Sequence, residues 1–261
     1  MIAVITTFYK EYYEQFGRQC VESVLEHWPQ DIELHVYAEN CEVSPRDRLF
    51  VHDLHASSPK LVDFKRAHAG PVRFLADYRK DAVRFANKVF AVLHACTHLD
   101  ADKAFWLDAD TFAFADVPEE FLHSCLPDDC YTSCLMRDHM HTECSFVGYN
   151  LQHPVHEAFM ARWESFYTDG TVFDLPEWHD CATYDATRQQ FEQQGLIKTL
   201  NLSGAFSHLM HPFVNSELGQ FMDHLKGPAR KQHGRSSDLD LAVPRTETYW
   251  AGGPSETPAT P

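Results

Sequence analysis

The stretch that most constrains how this chain can fold is Ala104-Phe-Trp-Leu-Asp108-Ala-Asp110-Thr-Phe-Ala-Phe114. An apolar run of strand-type residues ends in two carboxylates one residue apart, and the apolar pattern then resumes. Alternate residues of a strand point to one face, so at a strand's frayed end Asp108 and Asp110 can approach a single point. Two bare carboxylates that close repel each other unless a cation lies between them. A hard divalent cation with oxygen ligands meets that need. The competing reading is a strand followed by an Asx-rich turn, in which the side chains serve only their own backbone.

Around this stretch, strands and helices alternate. Residues 2–7 predict a buried first strand, apolar throughout as in parallel sheets. Residues 12–28 predict a helix, with Phe16, Cys20, Val24 and Trp28 four apart and Pro29 closing it. Strands follow at 32–38 and 49–54, and strand, helix, strand in that order predicts a βαβ unit. Residues 57–70 predict a loop. Residues 72–98 predict a long helix, with Phe74, Tyr78, Phe85, Val89 and Leu93 on its apolar face. Arg84 and Lys88 fall together on another face of it, at i and i+4.

Past Asp110, Pro118, Glu119 and Glu120 open a short helix ended by Pro127. Strands at 131–136 and 145–149 flank a polar loop at 137–143. Helices at 154–167 and 180–194 and a strand at 196–202 complete the pattern. The fold class is α/β: one domain over residues 1–245, with a mostly parallel central sheet flanked by helices. Residues 246–261, rich in Gly, Pro, Ser and Thr toward the end, predict a disordered tail.

Composition narrows the function. At 261 residues and 44% hydrophobic the chain can bury a sizeable core. Its net charge of −16 repels phosphates and argues against a nucleic-acid partner. The eight cysteines include a cluster with two histidines: Cys125, Cys130, Cys134, His139, His141 and Cys144. It contains no C-x-x-C pair and matches no common zinc module. Free thiols in a reducing, cytoplasmic setting are therefore expected, with a zinc-stabilised, non-enzymatic interaction protein as the rival. The opening residues lack a basic leader, and no long apolar segment occurs. Neither a signal peptide nor a membrane span is expected.

A second feature is the run from Asp223 to Arg235, which holds His224, Lys226, Gly227, Arg230, Lys231, His233, Gly234 and Arg235. In an acidic chain this basic patch is either a solvated terminal segment or an anion contact. Glycines suit a close backbone approach, and Lys and Arg suit phosphate oxygens.

Taken together, these motifs resemble a known family. Phe105 to Asp110 is similar to the Asp-x-Asp motif of nucleotide-sugar-dependent glycosyltransferases with the GT-A fold. His224, Gly227 and Arg230, spaced His-x-x-Gly-x-x-basic, resemble the C-terminal signature of the glycogenin-like and lipopolysaccharide galactosyltransferase-like members. The sequence departs from that signature in having Arg230 where Lys is usual, with Lys231 beside it, and in lacking a following Pro-Trp.

The resemblance implies a GT-A, Rossmann-like domain that binds Mn²⁺ or Mg²⁺ through Asp108, Asp110 and His224. His208, His211 and His233 stand as rival ligands. It also implies a nucleotide-sugar donor, a UDP-hexose, and a carbohydrate or other small acceptor, with retention of configuration. The donor's diphosphate would meet Gly227, Arg230 and Lys231, with Ala109 between the two aspartates. Thr6, Thr7 and Tyr9 would form the uridine pocket, Arg84 and Lys88 would face the donor, and Asp180 would face donor sugar and acceptor as the catalytic group. His139, His141 and Glu143 would lie where acceptor contacts are made.

On residues alone, blander readings stand beside these. Thr6 to Tyr9 leave the first strand at the sheet edge where open α/β folds bind ligands, or form an ordinary loop. Arg84 and Lys88 equally suit exposed helical charges. Asp180 suits an N-cap, and residues 137–143 suit a solvated hairpin tip. A sugar-phosphate nucleotidyltransferase is the rival enzyme, but it would carry a Gly-rich basic loop after the first strand, and residues 6–13 contain neither Gly nor Arg.

Overall fold

The computed structural model describes residues 1–68 and 77–251. Its centre is a seven-stranded sheet in the order β3-β2-β1-β4-β7-β6-β8. These strands are β1 (Ile2–Tyr9), β2 (Glu33–Glu39), β3 (Leu49–Asp53), β4 (Lys103–Leu107), β6 (Thr132–Leu135), β7 (Glu143–Asn150) and β8 (Thr199–Asn201). β1 pairs in parallel with β2 and β4, β2 with β3, and β6 with β8. Only β7 is reversed, antiparallel to both β4 and β6. A separate two-stranded ladder joins β5 (Thr111–Ala113) to β9 (Met222–His224).

The central strands are apolar on both faces because both faces are covered. Phe105 and Leu107 pack with Val4, Leu34 and Val36 on one side. Their neighbours Ala104 and Trp106 pack with Ile5, Tyr37 and Val147 on the other. This is the period-two alternation of a strand buried twice. The sheet is mostly parallel and flanked by helices, as expected. Among the described residues no helix is long and apolar enough to cross a membrane.

Several elements differ from the sequence expectation. Residues 59–67, expected as loop, form the helix Pro59–Ala67, which opens on Pro59, ends in Lys65 and Arg66, and buries Leu61 and Phe64. Those are the start and stop signals of a short helix. The expected helix over 72–98 begins at Ala82, where the Asp81 carboxylate accepts the Arg84 backbone N–H and caps it. Residues 72–76, with Phe74, lie outside the described residues, and Tyr78 sits on a separate 3₁₀ turn, 63% exposed.

The tail expected from residue 246 is packed chain as far as residue 251: Tyr249 stacks on Phe114 at 4.0 Å and Trp250 is 5% exposed. Two aromatic rings outweigh the polar composition around them. The remainder of the expected tail, 252–261, lies outside the described residues. All eight cysteines are free thiols. Among the described residues, no three members of the sequence cluster from Cys125 to Cys144 converge on one point; His141 and Cys144 face other partners.

Candidate active site

β1 and β4 lie side by side and end at the same edge of the sheet. At that edge β4 leaves the sheet through a turn in which the Thr111 N–H donates to the Asp108 carbonyl at 2.9 Å. The turn exists, but the two carboxylates do not serve it. Asp108 Oδ1 accepts from Trp106 Nε1 at 2.6 Å and from Lys88 Nζ at 2.9 Å. Asp110 Oδ2 accepts from Tyr12 Oη at 2.8 Å and lies 2.7 Å from Lys231 Nζ.

The ladder between β5 and β9 aligns Thr111 with His224, and the Leu225 N–H donates to the Asp110 carbonyl at 2.9 Å. This register carries His224 Nε2 to 3.4 Å from Asp110 Oδ1. One ligand atom from each of Asp108, Asp110 and His224 lies within 4.8 Å of the others. Two carboxylates and an imidazole so disposed are a donor set that fits a divalent cation of the manganese or magnesium kind. Of the rival histidines, His208 and His233 are exposed and join no such group, while His211 is buried with Nδ1 3.3 Å from Glu143 Oε1.

The charges explain the arrangement without an ion. Burial raises the Asp110 carboxyl, but the His224 imidazolium and the Lys231 ammonium outweigh it and hold Asp110 well below the usual carboxylate range. Burial pulls His224 down, and Asp110 and Glu143 reverse that and push it up to about 9. Burial likewise opposes the Lys88 ammonium, and Asp108 and Asp180 restore it. The negative site is thus balanced by Lys231, Lys88 and a protonated His224. A bound cation would take over that role and release the His224 proton.

Asp180 is the first residue of the helix Asp180–Gln193. It is not the N-cap: His179 caps the helix, with Nδ1 accepting from the Ala182 N–H at 3.3 Å. That leaves the Asp180 carboxylate to turn inward, 4% exposed and 2.9 Å from Lys88 Nζ. Lys88, expected as an exposed helical charge on the bland reading, lies between Asp108 and Asp180 with its side chain only 12% exposed and joins them. Arg84, one turn earlier, is exposed.

Other expected residues divide. Thr6 is fully buried, Thr7 Oγ1 donates to the Tyr37 carbonyl at 2.5 Å, and Tyr9 ends β1 at 42% exposed. Ala109 is buried between the two aspartates. Gly227 has φ +78 and opens the short helix Gly227–His233, which carries Lys231 to Asp110. Only glycine adopts that backbone freely. Arg230 is committed elsewhere: its guanidinium pairs with Asp240, and Nη1 donates to the Lys226 carbonyl at 2.7 Å.

Glu143 is the first residue of β7 and 4% exposed, neither loop nor hairpin tip. Its Oε1 lies 3.1 Å from His224 Nδ1, and its other oxygen pairs with Lys226. This outer contact holds the ring so that Nε2 faces the aspartates. Tyr12 is a functional contact that sequence reasoning missed, and Glu143, expected at the acceptor contacts, stands instead behind the His224 ring. Neither stands in a motif, and the only signal for Glu143 was a carboxylate beside an apolar strand.

No protein-family model matches this sequence, and no curated protein matches it. Among solved structures the chain is similar to the apo structure of the WbbM bifunctional glycosyltransferase, at 13% identity and a TM-score of 0.47, over 77% of this chain and 38% of that one. It is also similar to the apo form of mouse xyloside xylosyltransferase 1, at 13% identity and a TM-score of 0.49, over 78% of this chain and 86% of that one. At that identity, and with both TM-scores under 0.5, neither likeness bears on this chain's activity.

Proposed function

We propose that this chain is a metal-dependent glycosyltransferase of the GT-A fold. It moves a hexose from a nucleotide-sugar donor, a UDP-hexose, to a carbohydrate or other small acceptor, with retention of configuration. The observation that carries the reading is the β5–β9 ladder, which sets His224 against Asp110 at the sheet edge where β1 also ends. Carboxyl ends of strands in open α/β sheets are where such folds take ligands.

Asp108, Asp110 and His224 would hold Mn²⁺ or Mg²⁺, and such an ion, when bound, neutralises the charge of a nucleoside-diphosphate leaving group. The rest falls to the chain's own groups. Thr7 and Tyr9 frame the nucleoside, with the exposed Tyr9 ring stacking on the base and the fully buried Thr6 behind them, out of its reach. Lys231 covers Asp110 in the free chain, 2.7 Å from its carboxylate, and with a cation on Asp110 its ammonium would be free for phosphate oxygens. Gly227 gives the turn that lets its helix approach, and Arg230 anchors that helix through Asp240. Arg84 stands at the mouth as a further positive charge. Lys88 keeps Asp180 ionised and aimed inward, so that this carboxylate faces the donor sugar.

The test is a screen of nucleotide sugars with Mn²⁺, reading release of UDP or GDP. One donor should be hydrolysed or transferred, and EDTA should stop it. Undiminished release in EDTA, or none from any donor, would remove this reading. Pyrophosphate formed from UTP and a sugar phosphate would replace it with the nucleotidyltransferase.

A further inference from the structure

Beyond the Asp108–Asp110–His224 centre, a second group of side chains is arranged around an empty point. His141, Glu177 and His179 each offer one ligand atom, all within 4.8 Å of one another. Glu177 Oε2 stands between the two rings, 2.7 Å from His179 Nε2 and 3.6 Å from His141 Nε2. Its other oxygen lies 3.4 Å from Arg79 Nη1, so one oxygen is left to face inward.

The outer contacts set which ring nitrogen faces that point. His141 Nδ1 lies 3.1 Å from Asp185 Oδ2. Asp185 is 4% exposed and also accepts from the Thr142 N–H at 2.8 Å, Thr142 Oγ1 at 2.6 Å and Arg188 Nη2 at 3.1 Å. A carboxylate held that firmly keeps the proton on His141 Nδ1, which leaves a lone pair on Nε2 directed at the Glu177 oxygen. That lone pair and the Glu177 oxygen, which accepts from His179 Nε2 in the free chain, face one point that a cation can take in place of the His179 proton. The carboxylate–imidazole pair behind the ring is the usual outer support of a histidine metal ligand. His179 fits as well. The Ala182 N–H that reaches its Nδ1 also donates to the His179 carbonyl at 3.1 Å, so the helix cap survives when Nδ1 carries the proton.

We propose that His141, Glu177 and His179 form a second divalent-cation site, nitrogen-rich and suited to zinc rather than manganese or magnesium. Two imidazoles and one carboxylate, with an open fourth position, are a zinc-type donor set. Ligand atoms about 2.1 Å from a tetrahedral zinc lie about 3.4 Å apart. The pair at 3.6 Å already meets that spacing, and the pair at 2.7 Å opens by a small side-chain movement. His141 and Glu177 are partly exposed, so an ion can enter from their side, while His179 is buried behind them. Glu177 and His179 immediately precede Asp180. The ion would therefore tie the approach to Asp180 onto the segment that links β6 and β7.

The test uses the full chain stripped of metal by a chelator. With Mn²⁺ in excess, Zn²⁺ or Co²⁺ is added, unbound ion is removed by gel filtration, and retained metal is counted. The wild type should retain one equivalent, and Co²⁺ should give the visible absorption of a nitrogen-ligated tetrahedral ion. His141→Ala and Glu177→Gln should each lose that equivalent. Asp185→Asn should weaken binding about 10–100-fold, as loss of an outer partner does. Asp110→Asn should leave it unchanged. No retained zinc in the wild type, or zinc that survives His141→Ala, overturns the proposal. So does zinc that disappears with Asp110→Asn, since it then belongs to the first centre.

Discussion

Asp108 and Asp110 stand one residue apart and are held by different parts of the molecule. Asp108 is bound to the body of the sheet: its partners are Trp106 on its own strand and Lys88 on the helix Ala82–His98, and Lys88 also ties Asp180. Asp110 is bound to the ends of the chain, by Tyr12 near the start and by His224 and Lys231 near the finish. The first carboxylate is part of what the fold needs; the second is part of what closes over the site. Substitutions should separate the two, with stability failing on one side and binding on the other.

The largest effect is expected on the Asp108 side. Lys88→Met keeps the length and the apolar stem but leaves Asp108 and Asp180 without their shared cation. Removing one partner of a buried pair costs about 3–5 kcal/mol, because the remaining charge is uncompensated. Urea unfolding should register that loss. A change below about 1 kcal/mol would mean that Lys88 is a surface charge after all.

Asp110→Asn should do the opposite. Its shape is kept and the site is emptied of one ligand, so Mn²⁺ affinity and donor turnover should fall by more than the roughly 10–100-fold typical of an outer partner. The unfolding midpoint should move less than in Lys88→Met, because the partly exposed Lys231 can turn to solvent and His224 can shed its proton, whereas Asp108 and Asp180 keep their charges. Equal destabilisation by both changes would erase the distinction between the two carboxylates. Between these lies Glu143→Gln, which loosens the His224 ring without touching the aspartates. Mn²⁺ affinity should drop about 10–100-fold, and calorimetric titration showing an unchanged affinity would remove Glu143 from the site.

The same division explains what could be read in the sequence. β1, β2 and β4 bury both faces, and apolar runs announced them; the edge strand β3, with Leu49 buried and Phe50 42% exposed, was announced by its apolar run all the same. Asp108 and Asp110 were visible because they interrupt such a run. β5 and β9 are three residues each, too short to carry a period, and their pairing spans the chain. His224 was found through its spacing to Gly227 and Arg230, not through any strand signal. The phosphate role expected for Arg230 looked equal to that of Lys231, because the sequence does not say that Asp240 occupies Arg230. Asp180 suited a cap by composition, yet the cap is His179, which shifts the carboxylate one position into the helix and inward. Tyr249 and Trp250 were hidden by the polar composition around them.

The smallest expected effect concerns the histidines, which show the same contrast in their titration. His224 lies among carboxylates and is pushed up to about 9 despite its burial. His94 lies among rings: burial, then His98 stacked at 4.2 Å and His52 at 6.4 Å, pull it down to about 4. A base whose folded value is raised stabilises fully below its unfolded value, and that contribution disappears as pH rises through the folded one. His224 therefore gives the metal-free protein an alkaline loss that sets in above pH 6.5 and runs through about 9. A base whose folded value is depressed behaves in reverse, so His94 gives a loss as pH falls from 6.5 toward 4. His94 is only half-buried, and solvent screening limits its share to about 1 kcal/mol or less. Unfolding free energies measured from pH 4 to 10 should show both arms. His94→Asn should shrink the acid arm, to which the depressed His35, His52 and His211 also contribute, and bound Mn²⁺, which requires a neutral His224, should shrink the alkaline arm to the part that His179, also pushed up to about 9, supplies. An alkaline arm that persists unchanged with Mn²⁺ bound would mean that His224 keeps its proton and is not a ligand.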